Sequence, residues 1–134
     1  DVYKRQGKII SLTGAEGYRD PAKRPKLAAI ATKLSDYVIL TAVDPRGLID
    51  EINKAMLEGA EKAGGILDKN VFLKSDREEA IRFAIKHLAR KGDTVALFGK
   101  GHEKSMNING DKELPWSDLE AVNKVLNERQ TKIS

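Results

Sequence analysis

The chain contains no cysteine. That excludes disulfides, thiolate catalysis and cysteine-ligated zinc, and it fits a cytoplasmic protein. Aromatic residues make up only 5% of the sequence. A nucleic-acid surface ordinarily interleaves them with clustered Lys and Arg, so no nucleic-acid partner is expected. No apolar run approaches the roughly 20 residues of a membrane span, so no membrane partner is expected either. No stretch shows the basic start, apolar middle and small-residue cleavage site of a secretory signal. An excess of one charge is lacking too: the formal net charge is +4, from 24 basic and 20 acidic residues mixed along the chain. What is present is ordinary apolar content and generous charge in 134 residues, the balance of one globular domain.

Apolar periodicity alternates between two kinds of segment. "KIISLT" (8–13), "YVILTAV" (37–43), "NVFLK" (70–74) and "TVALFG" (94–99) are short, β-branched and continuously apolar, as buried parallel strands are. Between them lie helical patterns. In 22–35 the stripe is Leu27, Ile30, Ala31 and Leu34, with Pro25 in the first turn. In 47–65 it is Leu48, Ile52, Ala55, Met56, Ala60 and Ala63, ended by Gly64-Gly65. In 75–93 it is Ile81, Ala84, Ile85 and Leu88, capped by Ser75 or Asp76. "SMNINGDKELPW" (105–116) predicts a β-hairpin turning at Asn109-Gly110, and 117–130 predicts a last helix. The alternation specifies an α/β fold: βαβ units and a mostly parallel sheet covered on both faces, with a C-terminal β-hairpin. Residues 1–6 lack periodicity and read as a tail with the look of a non-native scar, in which case the gene begins further upstream. Residues 7–128 form the domain, and 129–134 a second tail.

In such sheets ligands bind beyond the carboxyl ends of the strands. Three charged or glycine-rich stretches fall there: "GAEGYRDPAKRP" (14–25), "VDPRG" (43–47) and "GKGHEKS" (99–105). Taken singly each is weak. Asp-Pro-Arg-Gly is ordinary turn chemistry, His102 in such a loop is ordinarily solvent-facing, and "GKGHEKS" lacks the spacing of a phosphate loop. Nor does "GAEGYRD" carry a dinucleotide fingerprint. Together they place Arg19, Lys23, Arg24 and Arg46 as anion binders beside Asp44 and Glu103 as acceptors for an ammonium. That set matches a ligand bearing carboxylates and an amine, such as an amino acid.

The ordered trio G-x-x-G-x-R-D-x-x-K-R-P, D-P-R and G-K-G-H-E resembles the C-terminal ligase domain of the Mur ligase family, over about Gly7 to Leu126. It is most similar to the branch that adds a diamino acid. The resemblance implies a Rossmann-like three-layer sandwich that lacks the family's first strand and helix. It implies an ATP-dependent amide-bond ligase of bacterial peptidoglycan synthesis, in which ATP phosphorylates a carboxylate and the incoming amine displaces phosphate. The implied partners are a diamino acid, meso-diaminopimelate or L-lysine, and a UDP-MurNAc-dipeptide. ATP and magnesium would be bound mainly by domains absent here, so the chain would be inactive alone.

By motif position the resemblance assigns Arg19 to a carboxylate of the diamino acid. Asp44 and Arg46 fall to its far end, and Gly99 and Glu103 to its distal amine. Lys23, Arg24 and His102 take anion-steadying or structural roles, and no catalytic residue or metal ligand is implied. One departure is that the family has Asn where this chain has Asp44. That weakens a second carboxylate, whereas Arg46 favours one, which inclines the reading to meso-diaminopimelate. Rival readings are a stand-alone amino-acid-binding or regulatory module, another ligase of the superfamily such as a folylpolyglutamate synthetase or a cyanophycin-synthetase-like enzyme, and a generic domain for a phosphorylated metabolite.

Overall fold

The structure, a computed structural model, describes residues 7–133, and side chains as far as residue 128. The tail expected at 1–6 lies outside the described residues. Four parallel strands form one sheet: β1 (Ile9–Thr13), β2 (Tyr37–Leu40), β3 (Val71–Leu73) and β4 (Thr94–Leu97), in the order β3-β2-β1-β4. The connecting helices are α1 (Lys23–Leu34), α2 (Ile49–Lys62) and α3 (Arg77–Phe83), the last running on into a π-helical turn over Ala84–Leu88. A short antiparallel pair, β5 (Ser105–Met106) with β6 (Leu114–Pro115), precedes α4 (Asp118–Ile133). Helix α4 continues through most of the stretch 129–134 read as a tail. Among the described residues no helix is long and apolar enough to cross a membrane.

Strand alternation divides the core into two layers. Ile10, Leu12, Ile39 and Phe72 point to one face and pack with Ile81, Ala84 and Ile85 of the α3 region and with Ala121 and Val125 of α4. Val38, Leu40 and Val71 point to the other and meet Ala28 of α1 with Ile52, Met56 and Ala60 of α2. The sheet is therefore the middle layer of three, as expected. Predicted stripes on α2 and α3 are the buried ones: Ile52, Met56, Ala60, Ile81 and Ala84 are all fully buried.

Of the stripe predicted on α1, only Ala31 packs against its layer. Leu27, Ile30 and Leu34 are 44%, 56% and 68% exposed, and the helix buries Arg24 and Ala28 instead. The cause is a close helix–helix approach. A Cβ built on Gly59 of α2 would lie 2.0 Å from the Pro25 carbonyl oxygen. Only small residues fit so tight a seam, so the larger apolar residues fall outside.

The hairpin turn also differs. Instead of closing at Asn109-Gly110, the chain makes a seven-residue loop, 107–113, between β5 and β6. The carbonyls of Asn107 and Ile108 accept hydrogen bonds from the backbone N–H groups of Arg46 and Gly47, at 3.0 and 2.6 Å. Docking on that neighbouring loop takes the Ile108 carbonyl, which a two-residue turn at Asn109-Gly110 would have paired with the Asp111 N–H.

On its other side β4 ends the sheet. Among the described residues it pairs with β1 alone, and Thr94 is exposed. A charge network ties α3 to α4. Glu128 accepts from Arg82 and Lys86, and Glu78 accepts from Arg82 and Lys124.

Candidate functional site

Parallel strands put the loops after β1, β2 and β4 at one end of the sheet. There they are knit together by backbone. The Gly17 N–H donates to the Asp44 carbonyl at 2.8 Å. A side chain at Gly17 would collide with the Pro45 carbonyl, 2.3 Å away, so glycine is required for this crossing. Arg46 returns the contact: its guanidinium donates to the Gly17 carbonyl at 3.1 Å. Arg46 and Tyr18 both hold left-handed backbone, at φ +50° and +59°, conformations that cost energy in residues with side chains. For Arg46 the docked hairpin loop fixes that conformation from behind.

Asp44 and Lys100 are the buried ionic centre of the rim. The Lys100 ammonium, 1% exposed, donates to Asp44 Oδ1 at 3.0 Å and to Glu103 Oε1 at 2.7 Å. The Asn107 backbone N–H adds a bond to the same Asp44 oxygen at 2.9 Å. Burial pushes the Asp44 carboxyl up, but the Asn107 amide, Lys100 and Arg46 together outweigh it and hold it below the usual carboxylate range. Burial likewise pushes Lys100 down, and its two carboxylates outweigh that and raise it. Both groups are therefore charged at neutral pH. Asp44, read from the sequence as an ammonium acceptor, already accepts from an ammonium inside the protein. Glu103 keeps a side chain 56% exposed.

A cleft of ≈ 450 Å³ opens beside this group, lined by Gly14, Glu16, Arg19, Lys23, Val43 and Gly99 among others. Arg19 is exposed and pairs with Glu16 at 3.2 Å. Lys23 is exposed, whereas Arg24 is buried and reaches Glu51 of α2 at 3.2 Å. The structure thus brings Arg19, Lys23, Arg24 and Gly99 to one cleft. It gathers Asp44, Arg46 and Glu103 around Lys100 and Gly17, outside the lining of that cleft. His102 is exposed on the third loop.

Sequence reasoning passed over Lys100 and Arg77. Arg77 is wholly buried beneath the rim. Its guanidinium makes a forked pair with Asp118, both bonds 2.8 Å, and donates to the carbonyls of Ala42 and Phe98 at 3.1 Å each. The Trp116 indole N–H completes Asp118 at 2.7 Å. One arginine thus ties the ends of β2 and β4 to the first turn of α4. The available signal was a cation in the otherwise acidic first turn of α3, where the helix dipole disfavours it unless another contact compensates.

The same pairs predict how the fold responds to acid. Arg82 first and then Lys86 hold the Glu128 carboxyl down to about 2. Asp118 is raised by burial but lowered further by Arg77 and Trp116, and lies below its usual range. A carboxyl whose folded pKa is depressed adds stability above its unfolded pKa and loses it as pH falls through the folded value. The urea midpoint read by Trp116 fluorescence is expected to hold down to about pH 5 and to fall from there to about pH 2. A midpoint unchanged at pH values near 2 would contradict it.

The described residues hold no group of three His, Asp or Glu able to bind a metal ion, and no phosphate loop stands among them.

Residues 1–101 match the family model described as Mur ligase, glutamate ligase domain. The chain is similar to UDP-N-acetylmuramoyl-L-alanyl-D-glutamate--2,6-diaminopimelate ligase of Chelativorans sp. (strain BNC1), 44% identical over 92% of this chain and 24% of the relative. The ligase of the same name from Aquifex aeolicus (strain VF5) is 43% identical over 90% of this chain and 24% of its own. A solved structure of a ligase with that name superposes with a TM-score of 0.82 at 31% identity, over 92% of this chain and 24% of that one. The chain spans about a quarter of the length of the curated relatives it matches.

Proposed function

The chain belongs to the Mur ligase family, and on that footing we propose that it is the amino-acid-binding domain of an ATP-dependent ligase that joins a diamino acid to a UDP-MurNAc-dipeptide in peptidoglycan synthesis. The diamino acid in this reading is meso-diaminopimelate; the names of its relatives carry 2,6-diaminopimelate. The observation that carries the reading is the meeting of three loops at one end of a parallel sheet, with Arg19, Arg46 and Glu103 presented around them.

In this reading Arg19 takes one carboxylate of the amino acid. Its partner Glu16 is an exposed surface contact, readily exchanged for a ligand. Arg46 spends one nitrogen on Gly17 and turns its other N–H groups to the far carboxylate, while Glu103 accepts from the distal amine. Holding the amino acid in one orientation presents its reacting amine to an activated carboxylate supplied from elsewhere in the ligase. ATP and magnesium supply that activation in the full-length enzyme. In this reading they are held mainly by the ligase's other domains, so this chain binds the amino acid but does not turn over.

Calorimetry on the chain, with ATP and magnesium present, tests both halves. Heat is expected with meso-diaminopimelate and not with L-glutamate, and no phosphate is expected to be released. Equal heats with L-glutamate, or no heat with either, would overturn the binding half; phosphate release would overturn the other.

A further inference from the structure

The geometry points to Lys100 as a specificity-determining residue, an inference that rests on the amino-acid site just described. We propose that Lys100 sets the charge of the site's far end, so that it takes a zwitterionic group, one ammonium and one carboxylate, in preference to a bare ammonium.

Four ionised side chains meet there: Asp44 and Glu103 are negative, Lys100 and Arg46 positive. Lys100 binds both carboxylates, and Arg46 acts on Asp44 through space. The sum is zero. Burial gives that sum its force, because Lys100 and Asp44 have side chains only 1% and 8% exposed and water screens them little. Asp44, with a side chain 8% exposed, already accepts from Lys100 and from the Asn107 N–H, so a ligand ammonium would have to compete with Lys100 for it. Asp44 is in effect a neutralised anion. Glu103, half exposed, is the acceptor left for a ligand ammonium, and Arg46 the cation left for a ligand carboxylate.

A far end with one of each satisfies both and keeps the site neutral, as in meso-diaminopimelate. The far end of L-lysine is a bare ammonium. It would satisfy Glu103 and leave Arg46 without an anion. Without Lys100 the four-residue set would carry one net negative charge and would favour the bare ammonium.

The test is the ratio of the dissociation constants of the wild-type chain for meso-diaminopimelate and L-lysine, and the same ratio for Lys100→Met, Asp44→Asn and the double variant. The wild type is expected to prefer meso-diaminopimelate. Lys100→Met is expected to shift the ratio toward lysine by about tenfold or more, and Asp44→Asn to shift it the other way. The double variant is expected to return close to the wild-type ratio. A merely structural Lys100 would weaken both ligands together and leave the ratio alone. An unchanged ratio in Lys100→Met would overturn the inference while leaving the site intact. Should Lys100→Met not fold, an unchanged ratio in Asp44→Asn overturns it equally. Failure of the wild-type chain to bind either ligand would overturn the site itself, and the inference with it.

Discussion

Asp118→Ala is expected to destabilise the fold by roughly 3–5 kcal/mol, the cost of stripping the partner from a buried charge. Arg77 has no exposed side-chain surface, so water cannot replace the lost carboxylate. Two of its four bonds would disappear at once, and the Trp116 indole would lose its acceptor. The two surviving bonds, to Ala42 and Phe98, satisfy N–H groups but supply no counter-charge. Asp118→Asn keeps an acceptor and the shape while removing the charge, and its loss should be smaller. Urea unfolding of both variants measures this. A loss under about 1 kcal/mol for the alanine variant would mean that the pair contributes no more than an exposed one does. The consequence reaches the rim, since Ala42 lies two residues before Asp44 and Phe98 immediately before Gly99. Even a folded variant should therefore hold its amino-acid ligand less tightly.

The second large effect reverses a common rule. Glycine inside a helix is ordinarily improved by alanine, by about 1 kcal/mol. Gly59 sits inside α2, yet Gly59→Ala is expected to destabilise by about 1–3 kcal/mol, the range for overpacking a close contact. The new methyl would lie 2.0 Å from the Pro25 carbonyl oxygen, which is backbone and cannot swing aside. Helices α1 and α2 would have to move apart, drawing Ala28 away from Met56 and Ala60. A thermal melt suffices, and a raised midpoint would show that the two helices do not approach this closely.

Most of the architecture is legible in the sequence because its strands are short, continuous and β-branched, and because α2 and α3 bury the stripes their spacing shows. The exception, α1, is instructive. Its apolar stripe is Leu27, Ile30, Ala31 and Leu34, but only Ala31 packs inward, because packing is settled by the glycine opposite and single-helix periodicity carries no information about that partner. The hairpin misled for a similar reason. Asn-Gly is good chemistry for a tight turn, but its neighbours are held by Arg46 and Gly47, more than 60 positions earlier in the chain.

The rim itself was legible as three loops, because strand ends can be located from the runs that precede them. Its inner wiring was not. Lys100 between two glycines looks like a mobile surface lysine, and nothing local signals that it will be buried between Asp44 and Glu103. Arg77 leaves only the faint trace of a cation at the wrong end of a helix.

The central claim is that the loops after β1, β2 and β4 hold one amino acid between them. Its most direct test is an amide-shift NMR map of the chain titrated with meso-diaminopimelate. Shifts are expected to cluster at Gly17–Arg19, Asp44–Gly47 and Gly99–Glu103, on all three loops and saturating together. Shifts confined to one loop, or centred on α1 or the β4 edge instead, would contradict the account.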